Sequence, residues 1–407
     1  MLKKLDKRVK VVIMAQVIYT FSMQFLAQYN TLFAQALGAS GSDIGLISAI
    51  SALVIVAASA FVGLAIERYS VKKVMILGLI CEAVAMVIFI LAWEWYMLIP
   101  AFILYGQLFR QMAFADIIFI TFTEPSERAT VMSFSRLLCG GAAISAPLIS
   151  AAIVTYSGGI SAQGIRPLYY VSLVIILGLL IFLCKSLHGT KLSKGSVEKS
   201  SLINTYKELF KGEKYLRRWI LIRLFRDGFT FLFATFVPLW IVDVKGATNP
   251  AVLGTLSSVA MASAMLVQVP AGRFADKFGR KKAFFLLTTF YCLGIVVLVL
   301  APSTEYLYLA GVLGMGWLGG IGGAAYTVLM TMWWEAFPAE DRGKLYGVEG
   351  IIAASFRIPI SILGGILWDQ GFKAHIMLLP ALTELAIVVP LLYTIPETLR
   401  RKLSPEK

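Results

Sequence analysis

The stretch GRFADKFGRKK, which runs from Gly272 to Lys282, separates two long apolar segments of the chain. Six of its eleven residues are charged, whereas LSSVAMASAMLVQVP before it and AFFLLTTFYCLGIVVLVLAP after it contain no charged residue. About 20 apolar residues are enough for a helix to cross roughly 30 Å of hydrocarbon. The pattern therefore predicts a short charged loop that connects two membrane-spanning helices.

The composition of the whole chain agrees with this interpretation. Hydrophobic residues make up 58% of the sequence and charged residues 15%, and the mean hydropathy is +0.80. Soluble globular domains carry about a quarter charged residues, so this chain has too little polar surface to face water. The first apolar segment is longer than the core of a signal peptide, and we expect it to be retained as a membrane span.

Twelve apolar segments recur along the sequence. Within hydrocarbon only helices or closed barrels satisfy the backbone hydrogen bonds, and segments this long and continuous indicate helices. We therefore predict an all-α membrane protein with twelve transmembrane helices. Spans 1 to 12 comprise residues 11–37, 43–66, 74–93, 96–122, 130–155, 167–186, 219–242, 250–271, 283–301, 305–334, 344–368 and 375–395.

The distribution of Lys and Arg predicts the orientation of these spans. With both termini on one side, the termini and the loops on that side hold 29 of the 37 Lys and Arg residues, counting Lys185 and Lys344 at the span ends, and five more lie within spans. The opposite loops hold three, Arg166, Lys245 and Lys373. Because positive charge marks the cytoplasmic side, we expect both termini to be cytoplasmic in a multi-pass protein of the cell membrane. The cations then serve topology and contact with lipid headgroups, so no nucleic-acid partner is implied.

A long hydrophilic stretch divides the chain into two sets of six spans. We predict an N-terminal six-helix bundle at 1–186, a cytoplasmic linker at 187–217 and a C-terminal six-helix bundle at 218–407. Within the linker, Leu202, Tyr206, Leu209 and Phe210 fall at helical spacing among Lys residues, which is typical of a helix on the membrane surface. A plain flexible linker is the alternative.

The two halves contain related loops. The segment GLAIERYSVKK, at 63–73, aligns without a gap with the opening stretch, so that Gly63 matches Gly272 and Glu67 matches Asp276. Each loop follows the second span of its half. Duplication of a six-span unit is typical of secondary transporters, whose binding site lies near the membrane midplane.

The opening stretch resembles the G-x-x-x-D-x-x-G-R-[KR] loop signature of the major facilitator superfamily, through Gly272, Asp276, Gly279, Arg280 and Lys281. The layout of twelve spans in two halves extends this resemblance to the whole chain. It implies two pseudo-symmetric six-helix bundles that alternate access to a central site. It also implies that this loop is a conformational latch that stabilises the outward-facing state.

Elementary chemistry supports such a latch. Gly272 would permit close helix approach, and Gly279 would permit a turn with positive φ. Asp276 and Arg280 are four residues apart and can pair on a helix. An acid at a neighbouring helix N-terminus gains about 0.3–1 kcal/mol, and we expect Asp276 to lie near residues 128–132. The alternative is that the cations merely anchor the loop on the cytoplasmic side.

The copy in the first half departs from the signature. Gly63 and Glu67 are counterparts of the second-half residues, but Ser70 replaces the second Gly and Val71 replaces the Arg. The first-half latch is therefore expected to be weaker or built differently.

Ionisable residues within spans cost a few kcal/mol, so each needs a structural or functional reason. Arg223 and Asp227 are expected to form an intrahelical ion pair, and Arg226 is expected to face a cavity. For the lone acids of spans 3 and 12, Glu82 and Glu384, structural hydrogen bonding and proton carriage both stay open. The candidates for substrate binding or proton coupling are Arg110, Asp116, Arg226, Asp227, Arg357, Glu349, Glu82, Gln24, Gln28 and Asn30.

The resemblance also implies that spans 1, 4, 7 and 10 line the central cavity. Span 1 provides amides and phenols but no acid. This mixture, together with arginine, favours a neutral hydroxylated or anionic organic solute. In span 5, Ala146 and Pro147 loosely resemble the Gly-Pro pattern of exporters. The glycines of span 10 allow two interpretations, tight helix packing and gating flexibility.

We therefore expect a secondary active transporter that works by alternating access as a monomer. The expected partners are a small-molecule substrate and membrane lipids. No cofactor is expected, because buried carboxyls favour coupling to the proton gradient and no nucleotide-binding motif occurs. His188 and His375 are isolated, so neither a metal site nor an enzyme is indicated. The alternatives are a proton-driven multidrug or metabolite efflux antiporter, a uniporter and, more remotely, a channel or membrane-embedded enzyme.

Overall fold

The structure is a computed structural model. It describes residues 6–68, 71–105, 118–119, 122–124, 127–187, 215–315, 319–337 and 342–399. Within those ranges the backbone alone is described at 56, 58–68, 71, 129 and 342–354.

All regular secondary structure in the described ranges is helical. Trp240–Val244 and Glu384–Val388 form π-helical turns, and Trp95–Met97 and Ile321–Gly323 form 3₁₀ turns. The α-helices are α1 (Lys7–Leu26), α2 (Tyr29–Ala36), α3 (Gly41–Arg68), α4 (Val71–Leu91), α5 (Leu98–Leu104), α6 (Arg128–Tyr156), α7 (Ala162–Ser186), α8 (Leu216–Leu239), α9 (Pro250–Phe278), α10 (Arg280–Leu300), α11 (Thr304–Leu313), α12 (Ala324–Ala336), α13 (Arg342–Asp369), α14 (Lys373–Thr383) and α15 (Val389–Tyr393).

These helices confirm the predicted fold class. Every one of the twelve predicted spans overlaps at least one of them. Among the described residues, eight helical segments are long and apolar enough to cross a membrane, and shorter apolar helices occur at 41–55 and 95–104. The chain is therefore a multi-pass, all-α membrane protein.

The helices form two compact units. The first comprises residues 1–196 with 247–258, and the second comprises 197–246 with 259–407. The beginning of α9 thus groups with the first unit and the rest of that helix with the second. The predicted linker at 187–217 lies almost entirely outside the described residues, so the proposed domain boundaries stay a prediction.

Aromatic stacking and the half-buried Arg166 organise the first unit. Helix α1 packs on α6 and α7, and α4 packs on α7. The ring of Phe89 stacks on Tyr169 with centroids 4.6 Å apart, and Phe33 contacts the same ring at 4.9 Å. Arg166 donates a hydrogen bond of 2.7 Å to the carbonyl of Ala92, which ties the beginning of α7 to the end of α4.

In the second unit, α8 packs against α13 and α14, and α10 packs against α11 and α12. Trp219 and Trp333 meet edge to face with centroids 5.9 Å apart, and both are fully buried. The core of this unit therefore surrounds α8, which carries the buried charges.

Span 10 is interrupted between α11 and α12 by a glycine-rich segment. Gly314, Gly319 and Gly320 have positive φ values of 154°, 114° and 82°, which only glycine adopts without strain. The N–H of Gly320 donates a hydrogen bond of 2.7 Å to the carbonyl of Ala260 on α9. A side chain at Gly322 would collide with the backbone of Tyr291 on α10. Tight packing therefore accounts for these glycines, and gating flexibility stays a prediction.

Candidate functional site

Helix α8 carries a buried ion pair within its sequence RLFRDGF. Arg223 Nη2 lies 3.0 Å from Asp227 Oδ2, four residues further along the same helix, and both side chains are at least nine-tenths buried. The predicted intrahelical pair is therefore confirmed. Because removal of one partner from a buried pair typically costs about 3–5 kcal/mol, these two charges are strongly interdependent.

A second buried ion pair joins α8 to the last span. Arg226 Nη1 lies 2.8 Å from Glu384 Oε1, and the same carboxylate oxygen accepts a hydrogen bond of 3.3 Å from Thr288 Oγ1 of α10. The guanidinium of Arg226 also lies 5.0 Å from the ring centroid of Phe284 and 5.7 Å from that of Tyr291. Arg226 was expected to face a cavity, and the structure instead buries it among these partners.

Arg223 also contacts the second part of span 10. Its Nη1 lies 2.7 Å from the sulfur of Met330, and its guanidinium is 5.4 Å from the ring centroid of Tyr326, both on α12. The buried Oδ1 of Asp227 has no hydrogen-bond partner in the part of the chain that the structure describes. The pair is thus incompletely satisfied on its acidic side, which leaves Asp227 able to accept another donor.

Arg357 of α13 lies against α8. Its guanidinium is 5.2 Å from the ring centroid of Phe231, a cation–π contact between two helices. The neighbouring Phe356 occupies the space beside Gly228, where an added side chain would come within 2.5 Å of its ring. This contact places Arg357, a candidate for substrate binding or proton coupling, between α13 and α8.

The polar residues of span 1 make defined contacts within the first unit. The span is broken at residues 27–28, between α1 and α2. The amide nitrogen of Gln28 donates to Ser257 Oγ, and Asn30 Oδ1 accepts a hydrogen bond of 3.1 Å from the hydroxyl of Tyr169. Both amides are buried, whereas Gln24 is half-buried. Gln28 and Asn30 therefore help to hold the span around its break.

Five other predicted site residues lie wholly or partly outside the described residues. Arg110 and Asp116 lie outside the described residues. The side chains of Glu349, Gly63 and Glu67 also fall outside them, although their helices are described. Glu82 is 1% exposed on α4.

The predicted latch loop lies between α9 and α10. Asp276 Oδ1 and Arg280 Nη1 are 2.5 Å apart, and Arg280 Nη2 lies 3.3 Å from Glu335 Oε1 at the end of α12. Gly279 has a φ of 107°, which confirms the predicted turn. The pairing of Asp276 with Arg280 was also correctly predicted, whereas the contact with Glu335 was not.

Residues after the last helix complete this loop. Glu397 accepts hydrogen bonds of 3.1 Å and 3.0 Å from the backbone N–H groups of Arg280 and Lys281 at the start of α10. The ammonium of Lys281 donates to the carbonyls of Tyr393 and Ile395, each at 2.9 Å. Lys281, expected to be part of the latch, thus ties α10 to the end of the last span.

Two details of the latch differ from the simplest expectation. An added side chain at Gly272 would meet no atom within 4 Å in the described part of the chain, so the expected close approach is not observed there. Asp276 is 65% exposed as a side chain. Its expected position near residues 128–132 stays a prediction.

Comparison with known protein families places this geometry in context. A profile of the Major Facilitator Superfamily matches residues 12–265 and, in a second match, residues 247–407. Together the two matches extend over nearly the whole chain.

Two curated proteins of Bacillus subtilis (strain 168) are similar over shorter stretches. Multidrug resistance protein 3 is 29% identical over 100 residues, which are 24% of this chain and 19% of that protein. YwtG, a protein named for metabolite transport, is 26% identical over 147 residues, which are 36% of this chain and 31% of that protein. The matched segments thus span less than a third of either relative.

Solved transporter structures share the fold over the full length. A variant of the nucleoside transporter NupG superposes with a TM-score of 0.73 at 12% identity, covering 95% of this chain and all of that one. A D-xylose-proton symporter superposes with a TM-score of 0.70 at 14% identity, covering 96% of this chain and 98% of that one. At these identities the similarity establishes the fold alone.

Proposed function

The chain belongs to the major facilitator superfamily, and we propose that it is a proton-coupled secondary transporter of a small neutral hydroxylated or anionic organic solute. Transport across a membrane follows from the family and the fold. We propose the proton coupling and the substrate class from the buried charges and the polar residues of span 1. We further propose that the protein works as a monomer by alternating access in the cell membrane, with both termini cytoplasmic.

The observation that carries the proton coupling is the balanced cluster of buried charges in the second unit. Two arginines and two acids, Arg223, Arg226, Asp227 and Glu384, are each at least nine-tenths buried in segments predicted to span the membrane. Charges at such depth are costly and commonly mark ion pathways or proton relays. A carrier that used only neutral contacts would not need them.

The proposed substrate class rests on the polar residues of the first unit. Gln28 and Asn30 are buried amides at the break of span 1, and the hydroxyl of Tyr29 is buried without a hydrogen-bond partner among the described residues. Interrupted spans commonly form the binding sites of transporters, since their free backbone groups can contact a solute. Two structures with the same fold are a nucleoside transporter and a D-xylose-proton symporter, whose named substrates are hydroxylated.

We propose that the loop around Asp276 is a latch on the cytoplasmic side. Its ion pairs with Arg280 and Glu335 and the capping by Glu397 connect α9, α10, α12 and the segment after α15. The pair of the exposed Asp276 with Arg280 is of the weak surface kind, so we propose that it breaks and re-forms during a transport cycle.

Efflux by proton antiport is the second candidate. In the first unit an added side chain at Gly254 of α9 would lie 2.6 Å from the carbonyl oxygen of Pro147 on α6. This close approach involves the span 5 segment that resembles exporters, and one similar protein is a multidrug resistance protein. The direction of coupling therefore needs to be measured.

Reconstitution into proteoliposomes would test the proposal. A pH gradient, acidic outside, should drive accumulation of labelled uridine, D-xylose or organic anions above equilibrium, and a protonophore should abolish it. An antiporter would accumulate cationic drugs or metabolites under the opposite gradient, and a uniporter would only equilibrate its solute. Flux that neither saturates nor shows counterflow would indicate a channel and would contradict a carrier.

Arg110 lies outside the described residues, and its expected role in the central site can be tested by mutation. We expect Arg110→Ala to abolish transport of the solute identified in that screen without lowering the yield of folded protein. Normal uptake by this variant would remove Arg110 from the mechanism.

A further inference from the structure

A carboxylate on the last span is enclosed by groups from two other spans. The Glu384 side chain is 1% exposed, and its Oε1 lies 2.8 Å from Arg226 Nη1 and 3.3 Å from Thr288 Oγ1. We propose that Glu384 binds the coupling proton and that Arg226 is its exchangeable counter-ion. This inference rests on the proposed function of proton-coupled transport and assigns its proton site.

Both protonation states of Glu384 can be accommodated at this position. The charged carboxylate accepts hydrogen bonds from Arg226 and Thr288. A hydroxyl can both donate and accept, so Thr288 can accept a hydrogen bond from the neutral acid after rotation of its proton. The group is therefore not left without a partner when it takes up a proton.

Arg226 also retains partners when Glu384 is neutral. Its guanidinium lies 5.0 Å from the ring centroid of Phe284 and 5.7 Å from that of Tyr291, and aromatic faces attract a desolvated cation. Asp227, the next residue, has a buried Oδ1 without a hydrogen-bond partner in the described part of the chain. The two aromatic faces and the charge of Asp227 would thus stabilise the cation when Glu384 is neutral.

Binding of a proton to Glu384 would change the net charge of the buried cluster. The ionisable groups that interact electrostatically with Glu384 are Arg226 and Asp227 from α8 and Tyr291 and Cys292 from α10. With Arg223 included, the cluster holds two positive and two negative charges. A proton on Glu384 leaves one net positive charge in a buried region, which favours a rearrangement that brings an anion or water to it.

The local backbone of the last span is suited to such a rearrangement. Glu384 begins the π-helical turn at 384–388, and Pro380 lies one turn before it. π-helical turns frequently occur at functional sites, and a proline removes one backbone hydrogen bond from the helix. The segment that carries Glu384 is therefore less constrained than a regular helix.

A chain of contacts connects Glu384 to span 10. If Arg226 turns toward Asp227, it competes with Arg223, which now pairs with Asp227 at 3.0 Å. Arg223 in turn contacts Met330 and Tyr326 on α12. Proton binding on the last span would thereby alter contacts of span 10, which gives a physical route for coupling.

The direct test is pH-difference infrared spectroscopy of the purified protein in lipid. A protonated carboxylic acid that is shielded from water gives a carbonyl band at higher frequency than acids in contact with water, and a carboxylate gives no such band. We expect this band to grow as the pH is lowered in the wild type, to disappear in Glu384→Gln and to persist in Glu305→Gln, which alters an exposed acid of the same unit. The assignment would be overturned if the band persisted in Glu384→Gln. It would also be overturned if Asp227→Asn abolished the band although Glu384 was still present.

A second variant covers the case in which Glu384→Gln does not fold because Arg226 is left unpaired. Arg226→Met/Glu384→Gln removes both charges of the pair, and it should fold and lack the band. A band that remains in this double variant would equally overturn the proposal.

Transport measurements separate this inference from the proposed function. In proteoliposomes with uridine and D-xylose as probes, Glu384→Gln should lose accumulation driven by the pH gradient while it retains counterflow exchange. If the wild type accumulates a probe and Glu384→Gln accumulates it equally, the assignment of Glu384 fails. If the wild type shows no coupling to the gradient, the proposed function fails, and the infrared result alone then decides whether Glu384 binds a proton.

Discussion

Glu397 Oε2 accepts a hydrogen bond of 3.0 Å from the backbone N–H of Lys281, although the two residues are 116 positions apart. The first N–H groups of a helix have no partner within the helix, and an acid placed there also gains from the helix dipole. Glu397 therefore caps α10 from the segment that follows the last span, and it joins the end of the chain to the proposed latch.

Removal of this cap should destabilise the protein. We expect Glu397→Ala to lower the free energy of unfolding by about 1–2 kcal/mol, because it leaves two backbone donors of α10 without their acceptor. Thermal unfolding in detergent would measure the effect, with Glu305→Gln as the control for loss of a negative charge. Equal stability of Glu397→Ala and the wild type would contradict the capping role.

Disruption of the Arg223–Asp227 pair should cost more than loss of the cap. Asp227→Ala leaves the buried Arg223 without its carboxylate, and we expect a loss of about 3–5 kcal/mol in unfolding free energy. The double variant Arg223→Met/Asp227→Ala removes both charges and should recover much of that loss. Additive effects of the two single substitutions, measured by a double-mutant cycle, would argue against an energetic coupling between them.

The close packing of span 10 on α10 gives a third prediction. In Gly322→Ala the new Cβ would lie 2.5 Å from the Cα of Tyr291, so backbone must shift, and we expect destabilisation of about 1–3 kcal/mol. Gly178→Ala is the matched control, since that site on α7 is open and alanine favours a helix by about 0.5–1 kcal/mol. Unfolding measurements should rank the two variants on opposite sides of the wild type, and the reverse order would refute this account of the packing.

Substitution of Asp276 in the latch should change the population of conformations more than the stability of the fold. Asp276→Asn removes an exposed charge, so its effect on unfolding should stay below about 1 kcal/mol. We nevertheless expect a larger population of the inward-open state, because the latch is proposed to close the cytoplasmic side. Labelling of single cysteines introduced on each face would measure this shift. Unchanged accessibility on both faces would eliminate Asp276 from the latch.

The beginning of α1 should respond to acid. Hydrogen bonding from Arg8 holds the pKa of Asp6 below its usual range, and the Asp6 carboxylate accepts from the backbone N–H of Arg8 at 2.7 Å. Because the folded pKa is lower than the unfolded value of about 3.9, the contribution is complete above that value and is lost as the pH falls through the folded pKa. The stability difference between the wild type and Asp6→Ala, at most about 1 kcal/mol near neutral pH, should therefore vanish in acid. A difference that does not depend on pH would contradict this.

Hydropathy and local spacing were sufficient to predict the spans and the contacts between near neighbours in sequence. The turn at Gly279 and the pairs Asp276–Arg280 and Arg223–Asp227 depend on one helix or one loop, so the order of residues determines them. Contacts between distant segments were not predictable in this way. Arg226 and Glu384 are 158 positions apart, and their pairing depends on how each span is rotated about its axis. Apolar segments that are hydrophobic on all sides do not reveal that rotation.

The hydrogen bond from Gly320 to the carbonyl of Ala260 has a mechanical consequence. Both atoms belong to the main chain, so no side-chain substitution at Ala260 removes the acceptor, and only Gly320→Pro removes the donor. Within hydrocarbon a broken backbone bond of this type costs several kcal/mol, because no water replaces it. Where this bond lies, span 10 and the adjoining part of α9 should consequently move together as one rigid body. Any bending of span 10 should then occur before or after the bonded residue.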